Sequence, residues 1–156
     1  MERKKNLYKI YGSFGFNTRD KDSSIVTQKL GIEPHWSWNK GDKYFIKNIN
    51  EFCYRSNGIW GYATKPIFIE ITSDISPMIK CFKDLLSDKM EIINELINKY
   101  QFECDIRIAI FTEEEGVCGA SINKDELLFL SHFSYFDISF LQVENVEKTH
   151  FKYEWR

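Results

Sequence analysis

Residues 76–100 read SPMIKCFKDLLSDKMEIINELINKY. Met78, Ile79, Phe82, Leu85, Leu86, Met90, Ile93, Leu96, Ile97 and Tyr100 recur at spacings of three and four, which places them on one stripe of a helix. Ser76 supplies an N-cap, and Pro77 suits the first turn, where its missing N–H costs no hydrogen bond. A stripe this long has to be covered. Burying each large side chain contributes about 1.5–3 kcal/mol before conformational entropy is subtracted, so the stripe is assigned to the core rather than to a cofactor or partner groove.

The segments around this helix alternate with a period of two, as half-buried strands do. Residues 7–16 put Tyr8, Ile10, Phe14 and Phe16 on one face, and Gly12 interrupts the row as a bulge or a close approach would. Residues 59–64 and 67–73 read as a strand broken at Lys65-Pro66, because proline cannot donate to a ladder; Ile67, Ile69 and Ile71 share a side. Beyond the helix, residues 104–112 carry Ile106, Ile108 and Ile110 on one side. An acidic turn at residues 113–116 leads to a short strand over 117–121, and residues 135–143 alternate Phe136, Ile138 and Phe140.

Two short helices complete the pattern. One follows a polar turn at 17–21, is capped by Asp22 or Ser23, turns Ile25, Val26 and Leu30 inward and stops at Gly31, with Pro34 preventing a restart. The other begins at Asn123, with Glu126 completing a capping box and Leu127, Leu128 and Leu130 inward. The pattern predicts a single α+β domain over residues 1–156, a mainly antiparallel sheet of about four to six strands with one long and two short helices on one face. Strand, turn, short helix and strand occur both at 7–60 and at 106–141, which adds a ferredoxin-like tendency. Residues 144–156 form a polar tail in which Phe151, Tyr153 and Trp155 repeat at strand spacing, suited to an edge strand or a partner contact.

A net charge of −2 argues against general nucleic-acid binding, which needs clustered cations to neutralise several phosphates; the one basic cluster is Arg3, Lys4 and Lys5. No apolar run approaches the roughly 18 residues of a membrane span, and residues 1–6 are not followed by a signal-peptide core, so no membrane association and a cytoplasmic location are expected. Cys53, Cys81, Cys104 and Cys118 form no Cys-x-x-Cys pair and read as reduced thiols. His35, His132 and His150 are scattered, and the glutamates at 113–115 read as a solvated hairpin tip, so neither a metal nor a cofactor is expected. Gly12-Ser13-Phe14-Gly15 lacks the Lys-Ser/Thr ending of a phosphate loop, and neither Gly-x-Ser-x-Gly nor His-Glu-x-x-His occurs. Distant partners such as Cys53 or Cys118 with His35 or His132 are the remaining enzymatic combination; their spacing singles out no catalytic residue.

The candidate site lies in residues 30–42, LGIEPHWSWNKGD, and 56–62, SNGIWGY, which hold three of the four tryptophans: Trp36, Trp38 and Trp60. Residues 35–56 read as long and irregular, yet their aromatic content argues against disorder and in favour of function. Two readings stand open. In one, Trp38 and Trp60 are core plugs closing an end of the sheet, and Lys40-Gly41-Asp42 is a tight turn. In the other, Trp36, Trp38 and Trp60 wall a pocket or interface patch, with Lys40 meeting an anion and Asp42 a donor at its rim. Solvent exposure separates them.

Leu30-Gly31-Ile32-Glu33-Pro34, Trp38-Asn39-Lys40-Gly41-Asp42 and Gly58-Ile59-Trp60 follow in this order after a first strand and short helix, and precede a long helix and two more strands. Over residues 7–141 this arrangement resembles the bacterial family called domain of unknown function 4279. The resemblance implies a small α+β domain and, through relatives that look like toxin-neutralising immunity proteins, a protein-binding role; it implies no reaction. The expected function is therefore that of a non-enzymatic binding protein, of the immunity or inhibitor type, that neutralises a protein partner such as a toxin or effector. The alternative is a module of a phage or bacterial defence locus that sequesters a small anionic or aromatic ligand or a nucleotide, with Trp38 and Trp60 stacking on a ring and Lys40 meeting phosphate.

Overall fold

A computed structural model describes residues 8–70, 74–113 and 119–150. The Arg3–Lys5 cluster, Ile71, Glu114 and Glu115 of the acidic turn, Cys118 and the tail residues Phe151, Tyr153 and Trp155 lie outside the described residues, as do residues 117 and 118 of the short strand expected at 117–121; its described part, residues 119–121, forms no strand, and Ser121 makes one isolated bridge with Asp74.

The chain runs β1 (Tyr8–Arg19), α1 (Ser24–Leu30), β2 (Trp36–Trp38), β3 (Lys43–Ile46), β4 (Glu51–Tyr54), β5 (Gly58–Ala63), β6 (Ile67–Ile69), α2 (Ser76–Leu86), α3 (Met90–Asn98), β7 (Glu103–Thr112), α4 (Lys124–Leu130) and β8 (Tyr135–Gln142). The main sheet has the order β2-β5-β1-β7-β8, and β6 pairs with the start of β1. Its pairings are antiparallel except β7 with β8, whose crossover carries α4. The break between β5 and β6 falls where Lys65-Pro66 predicts it. Thr64 holds the interrupted edge, its N–H donating to the Gly12 carbonyl at 2.8 Å and its hydroxyl accepting from the Gly12 N–H at 3.2 Å.

The helices cover one face of this sheet. Met78, Ile79, Phe82, Leu86, Ile93 and Leu96 are buried, and Leu85, Met90, Ile97 and Tyr100 pack against them, so the stripe read from residues 76–100 is the helical half of the core. Tyr8, Ile10, Phe14 and Phe16 of β1 and Cys104, Ile106, Ile108 and Ile110 of β7 supply the other half. Gly12 marks a close approach: a Cβ there would lie 2.5 Å from Met78 Sδ and 2.7 Å from Phe82 Cζ. The bulge in β1 comes later, between Asn17 and Arg19.

Details of the helices differ from expectation. A 3-10 turn at Ser87–Lys89 joins α2 to α3, and the Ser87 hydroxyl bonds back to the Lys83 carbonyl, a competition that loosens helices at serine. The Asn123–Glu126 capping box forms as read. Leu130 is buried as read; Leu127 and Leu128, however, are 58% and 56% exposed, and α4 buries Phe129 in their place. A helix of seven residues has room for one narrow buried edge, and the apolar run Leu127–Leu130 overfills it.

Among the described residues, the opposite face is covered at one end. Tyr11, Ala109 and Phe111 pack there against Val143 and Val146, from the segment after β8. Lys9, 4% exposed, donates from Nζ to the carbonyl of Thr149 at 2.7 Å, and the Val146 N–H donates to Glu113 Oε1 at 2.9 Å. Residues 143–150 thus cross this face without forming a strand.

Candidate functional site

The entry to the tryptophan segment is built as its residues dictate. Gly31 takes the left-handed conformation, φ 67°, and its N–H closes α1 on the Thr27 carbonyl. The chain then joins the sheet edge, His35 donating its N–H to the Gly61 carbonyl at 2.8 Å and accepting the Ala63 N–H at Nδ1, 3.1 Å away. Pairing of β2 with β5 aligns Trp36 with Gly61, Ser37 with Trp60 and Trp38 with Ile59. With a period of two, Trp36 and Trp38 share one face of the edge strand, and Ser37 faces the helices with Trp60.

The three indoles therefore have different fates. Trp60 is fully buried, packs on Phe14 and Phe16 and donates its Nε1–H to Thr27 Oγ1 at 2.9 Å. It is a core plug with its one polar atom satisfied, so it cannot stack on a ligand or anchor a partner as one of the two readings had it. Trp36 is half-buried and lies over Gly61, where any Cβ would fall inside the indole. Trp38 is half-buried, with the Arg55 guanidinium carbon 4.0 Å from its ring centre and 3.9 Å from that of Tyr44.

Residues 39–42 form a tight turn. Gly41 has φ 88°, Asp42 Oδ2 accepts the Asn39 N–H at 2.7 Å, and the Asp42 carbonyl accepts the Arg55 N–H at 2.9 Å. Asp42 is exposed but its carboxylate serves the turn; Lys40 is exposed beside it. Between this turn and α1 lies an open cleft of about 480 Å³, lined in part by Asp22, Ser23, Thr27, Pro34, Trp38 and Asp42. Much of its polar lining is engaged within the protein. Asn39 Oδ1 accepts the Ser23 N–H at 2.8 Å, the Ser23 and Ser37 hydroxyls bond at 2.8 Å, and the Ser24 N–H beside Asp22 holds that carboxyl below its usual range.

A feature of residues 35–56 that reads as irregular is ordered: β3 and β4 make a two-stranded hairpin. Pairing of Lys43 with Tyr54 and Phe45 with Phe52 puts these four side chains on one face. Phe45 is 44%, Phe52 61% and Tyr54 67% exposed. The Phe45 and Phe52 rings stand 5.0 Å apart, with Lys43 Nζ 4.1 Å from the centre of Phe52. The opposite face carries Tyr44, which turns back onto Arg55. Aromatics on both faces hide the polar–apolar alternation by which a strand is recognised; the spacing of Phe45, Phe52 and Tyr54 is the signal that remains.

Chemistry elsewhere is sparse. Burial pushes the Cys104 thiol well above its ordinary range, so it is no thiolate nucleophile. Cys53, Cys81 and Cys104 are free thiols. Among the described residues no three His, Cys, Asp or Glu side chains gather as a metal site requires, and no helix is long and apolar enough to cross a membrane.

Residues 8–141 match the family model described as Domain of unknown function (DUF4279), and the chain belongs to that family. No curated protein and no solved structure matches it.

Proposed function

We propose that this member of the family is a non-enzymatic binding protein whose ligand is another protein, and that it acts as an inhibitor or immunity protein by occluding a toxin or effector. The observation that carries the reading is the exposed aromatic face of the β3–β4 hairpin. Phe45, Phe52 and Tyr54 lie side by side on it in solvent, whereas isolated exposed apolar residues are ordinary on protein surfaces. Exposed aromatics of this kind are typical anchors of interfaces. The turn bearing Lys40 and the half-buried Trp38 border the hairpin through Arg55 on the side of Tyr44, and Tyr54 lines one hollow with Trp38, so a partner that extends past Tyr54 meets Trp38, with Lys40 and Asp42 beyond it. Trp36 belongs to the neighbouring sheet edge and contributes support.

The ligand-sequestering alternative has less to stand on. It needs Trp60, which is enclosed, and a free face of Trp38, one side of which is occupied by Arg55.

The reading is tested by placing a photo-crosslinking amino acid at position 52 in the protein expressed in its own host, with Lys80 on α2 as the control position. A single discrete polypeptide crosslinked from position 52 and not from position 80 is expected. Equal crosslinking from both positions, or none from position 52, would refute a partner on the hairpin.

A further inference from the structure

The main sheet treats its two edges unequally. On one side it ends in β2, three residues long, and in β6, three residues that follow Lys65-Pro66. Short strands and proline are usual guards of an exposed edge. On the other side it ends in β8, with the sequence YFDISFLQ. This edge has eight residues, neither proline nor lysine, and a register with β7 that runs unbroken from Asp105–Tyr135 to Thr112–Gln142. Its one charge, Asp137, aligns with Arg107 on the helix-free face.

Main-chain groups point out of this edge at alternate residues. The Val143 N–H donates to the Thr112 carbonyl at 2.9 Å and the Cys104 N–H to Ser134 Oγ at 3.0 Å, so the even-numbered residues of β7 turn their N–H and C=O groups to β8. In the observed register Tyr135, Asp137, Ser139 and Leu141 meet them. The N–H and C=O groups of Phe136, Ile138 and Phe140 therefore face away from β7, and none of the described residues pairs with them. The chain's own continuation leads elsewhere: Val146 packs on the helix-free face, and the Thr149 carbonyl takes hydrogen bonds from Lys9 and Tyr11 of β1. On the helix side Phe136, Ile138 and Phe140 pack against the core yet are only half-buried. Helix α4 extends the same wall. Gly12 of β1 lies under α2 and Lys83 of α2 reaches Phe129, so Leu127, on the flank of α4 opposite Phe129, faces away from α2 and toward the β8 side.

We propose that β8 pairs antiparallel with β8 of a second copy of this chain, about a twofold axis at Ile138, so that two main sheets join into one. Self-complementarity selects both the occupant and the register. With the axis at Ile138, Phe136 faces Phe140, Tyr135 faces Leu141 and Asp137 faces Ser139 of the second copy, cross-strand pairs that are apolar or carboxylate to hydroxyl and never of like charge. An axis at Asp137 would set that carboxylate against itself, and one at Ser139 would set it against Leu141. A contact of this kind closes at two copies, because each copy spends its one β8 edge. The strand is about 27 Å long, and the sheet with the helix layer above it is about 20 Å high. The wall thus offers on the order of 500 Å² per copy, and the pair reaches the roughly 1,000 Å² at which specific interfaces begin. An area at that lower bound corresponds to a reversible dimer, with a dissociation constant on the order of 1–100 μM. The β3–β4 hairpin borders β2, at the opposite end of the strand order, so both contacts can be made at once and the inference does not rest on the hairpin reading.

Sedimentation equilibrium of the purified full-length chain from about 1 to 500 μM, which brackets that range, tests the dimer, and hydrogen exchange at both ends of the range tests the edge. The mass is expected to rise from one chain to two. The amides of Phe136, Ile138 and Phe140 should gain protection as it does, while those of Tyr135, Asp137 and Ser139, already bonded to β7, stay as they are. Ser139→Lys, which meets Asp137 of the second copy, should tighten the dimer severalfold, and Ser139→Asp should weaken it by about tenfold or more. Exchange is read on the parent chain, so the edge is tested even where a variant fails to fold. A single-chain mass throughout the range would overturn the inference and leave the edge to a strand of another protein. A dimer in which Phe136, Ile138 and Phe140 gain no protection, or one that Ser139→Lys weakens, would overturn it as well.

Discussion

The Arg55 guanidinium carbon lies against both Trp38 and Tyr44, 4.0 Å and 3.9 Å from their ring centres. This contact ties the end of β4 to β2 and β3, and the side chain adds to the backbone bonds that Arg55 makes with Gly41 and Asp42. Each cation–ring contact at a partly exposed position is worth about 0.5–1 kcal/mol. Arg55→Ala is therefore expected to cost about 1–2 kcal/mol in urea unfolding and to shift tryptophan emission to longer wavelength as Trp38 opens to water. Arg55→Lys should recover little of either, since an ammonium cannot stack as a planar group does. Unchanged emission in both variants would contradict the anchoring role.

Gly61 is the position on which the sheet edge turns. Gly61→Ala places a methyl inside the Trp36 indole, and overpacking of this kind costs about 1–3 kcal/mol. Lowered stability together with loss of amide protection across Trp36–Trp38 is expected in hydrogen exchange, while β7 and β8 stay protected. An alanine variant as stable as the parent would show that Trp36 does not lie over Gly61.

Lys9 is buried on the helix-free face and donates to the Thr149 carbonyl at 2.7 Å. Hydrogen bonds to charged groups contribute about 1.5–3 kcal/mol. Lys9→Met, which keeps the apolar stem, should release residues 143–150 first. The expected result is faster amide exchange over that segment, with the core of β1 little changed.

Asp105 sets a pH dependence of known sign. Burial raises its folded-state pKa above the ordinary 3.8, with Asp137 adding to the rise and Arg107 opposing it; Glu103, paired with Arg19, is the other carboxylate nearby. A raised carboxyl pKa means that the folded state binds the proton more tightly than the unfolded state, so the contribution is full below the unfolded value and is lost as pH rises through the folded one. Glu95, lowered by its bonds to Lys29 and Lys99, acts in the opposite sense, so the comparison must be made between variants. The stability of Asp105→Asn relative to the parent should grow as pH rises from about 3 to 7. A flat difference would show that the carboxylate is as well solvated in the fold as in the unfolded chain.

Much of this architecture was legible from spacing. The stripe from Met78 to Leu96 and the alternation in β1 and β7 announce burial directly, and Gly31, Pro66 and the Asn123–Glu126 pair mark ends and breaks for local steric reasons. The site was legible only in part. Trp36, Trp38 and Trp60 look equivalent in sequence, but pairing with β5 sends Trp60 to the helices and the other two to the opposite side. Asp42 reads as a rim charge and serves the turn, because a carboxylate three residues after an amide closes that ring. Which strand ends the sheet is invisible to periodicity: β8 alternates as β7 does, and only the strand order makes it an edge.

The central claim is that the aromatic face of the hairpin holds a protein. Native mass spectrometry of the chain purified gently from its own host tests it most directly, comparing the parent with a Phe52→Ser, Tyr54→Ser variant of unchanged unfolding midpoint. The account predicts a stoichiometric complex with a second polypeptide for the parent and the chain alone for the variant. A partner retained by the variant, or a bound small molecule with no second polypeptide, would contradict it.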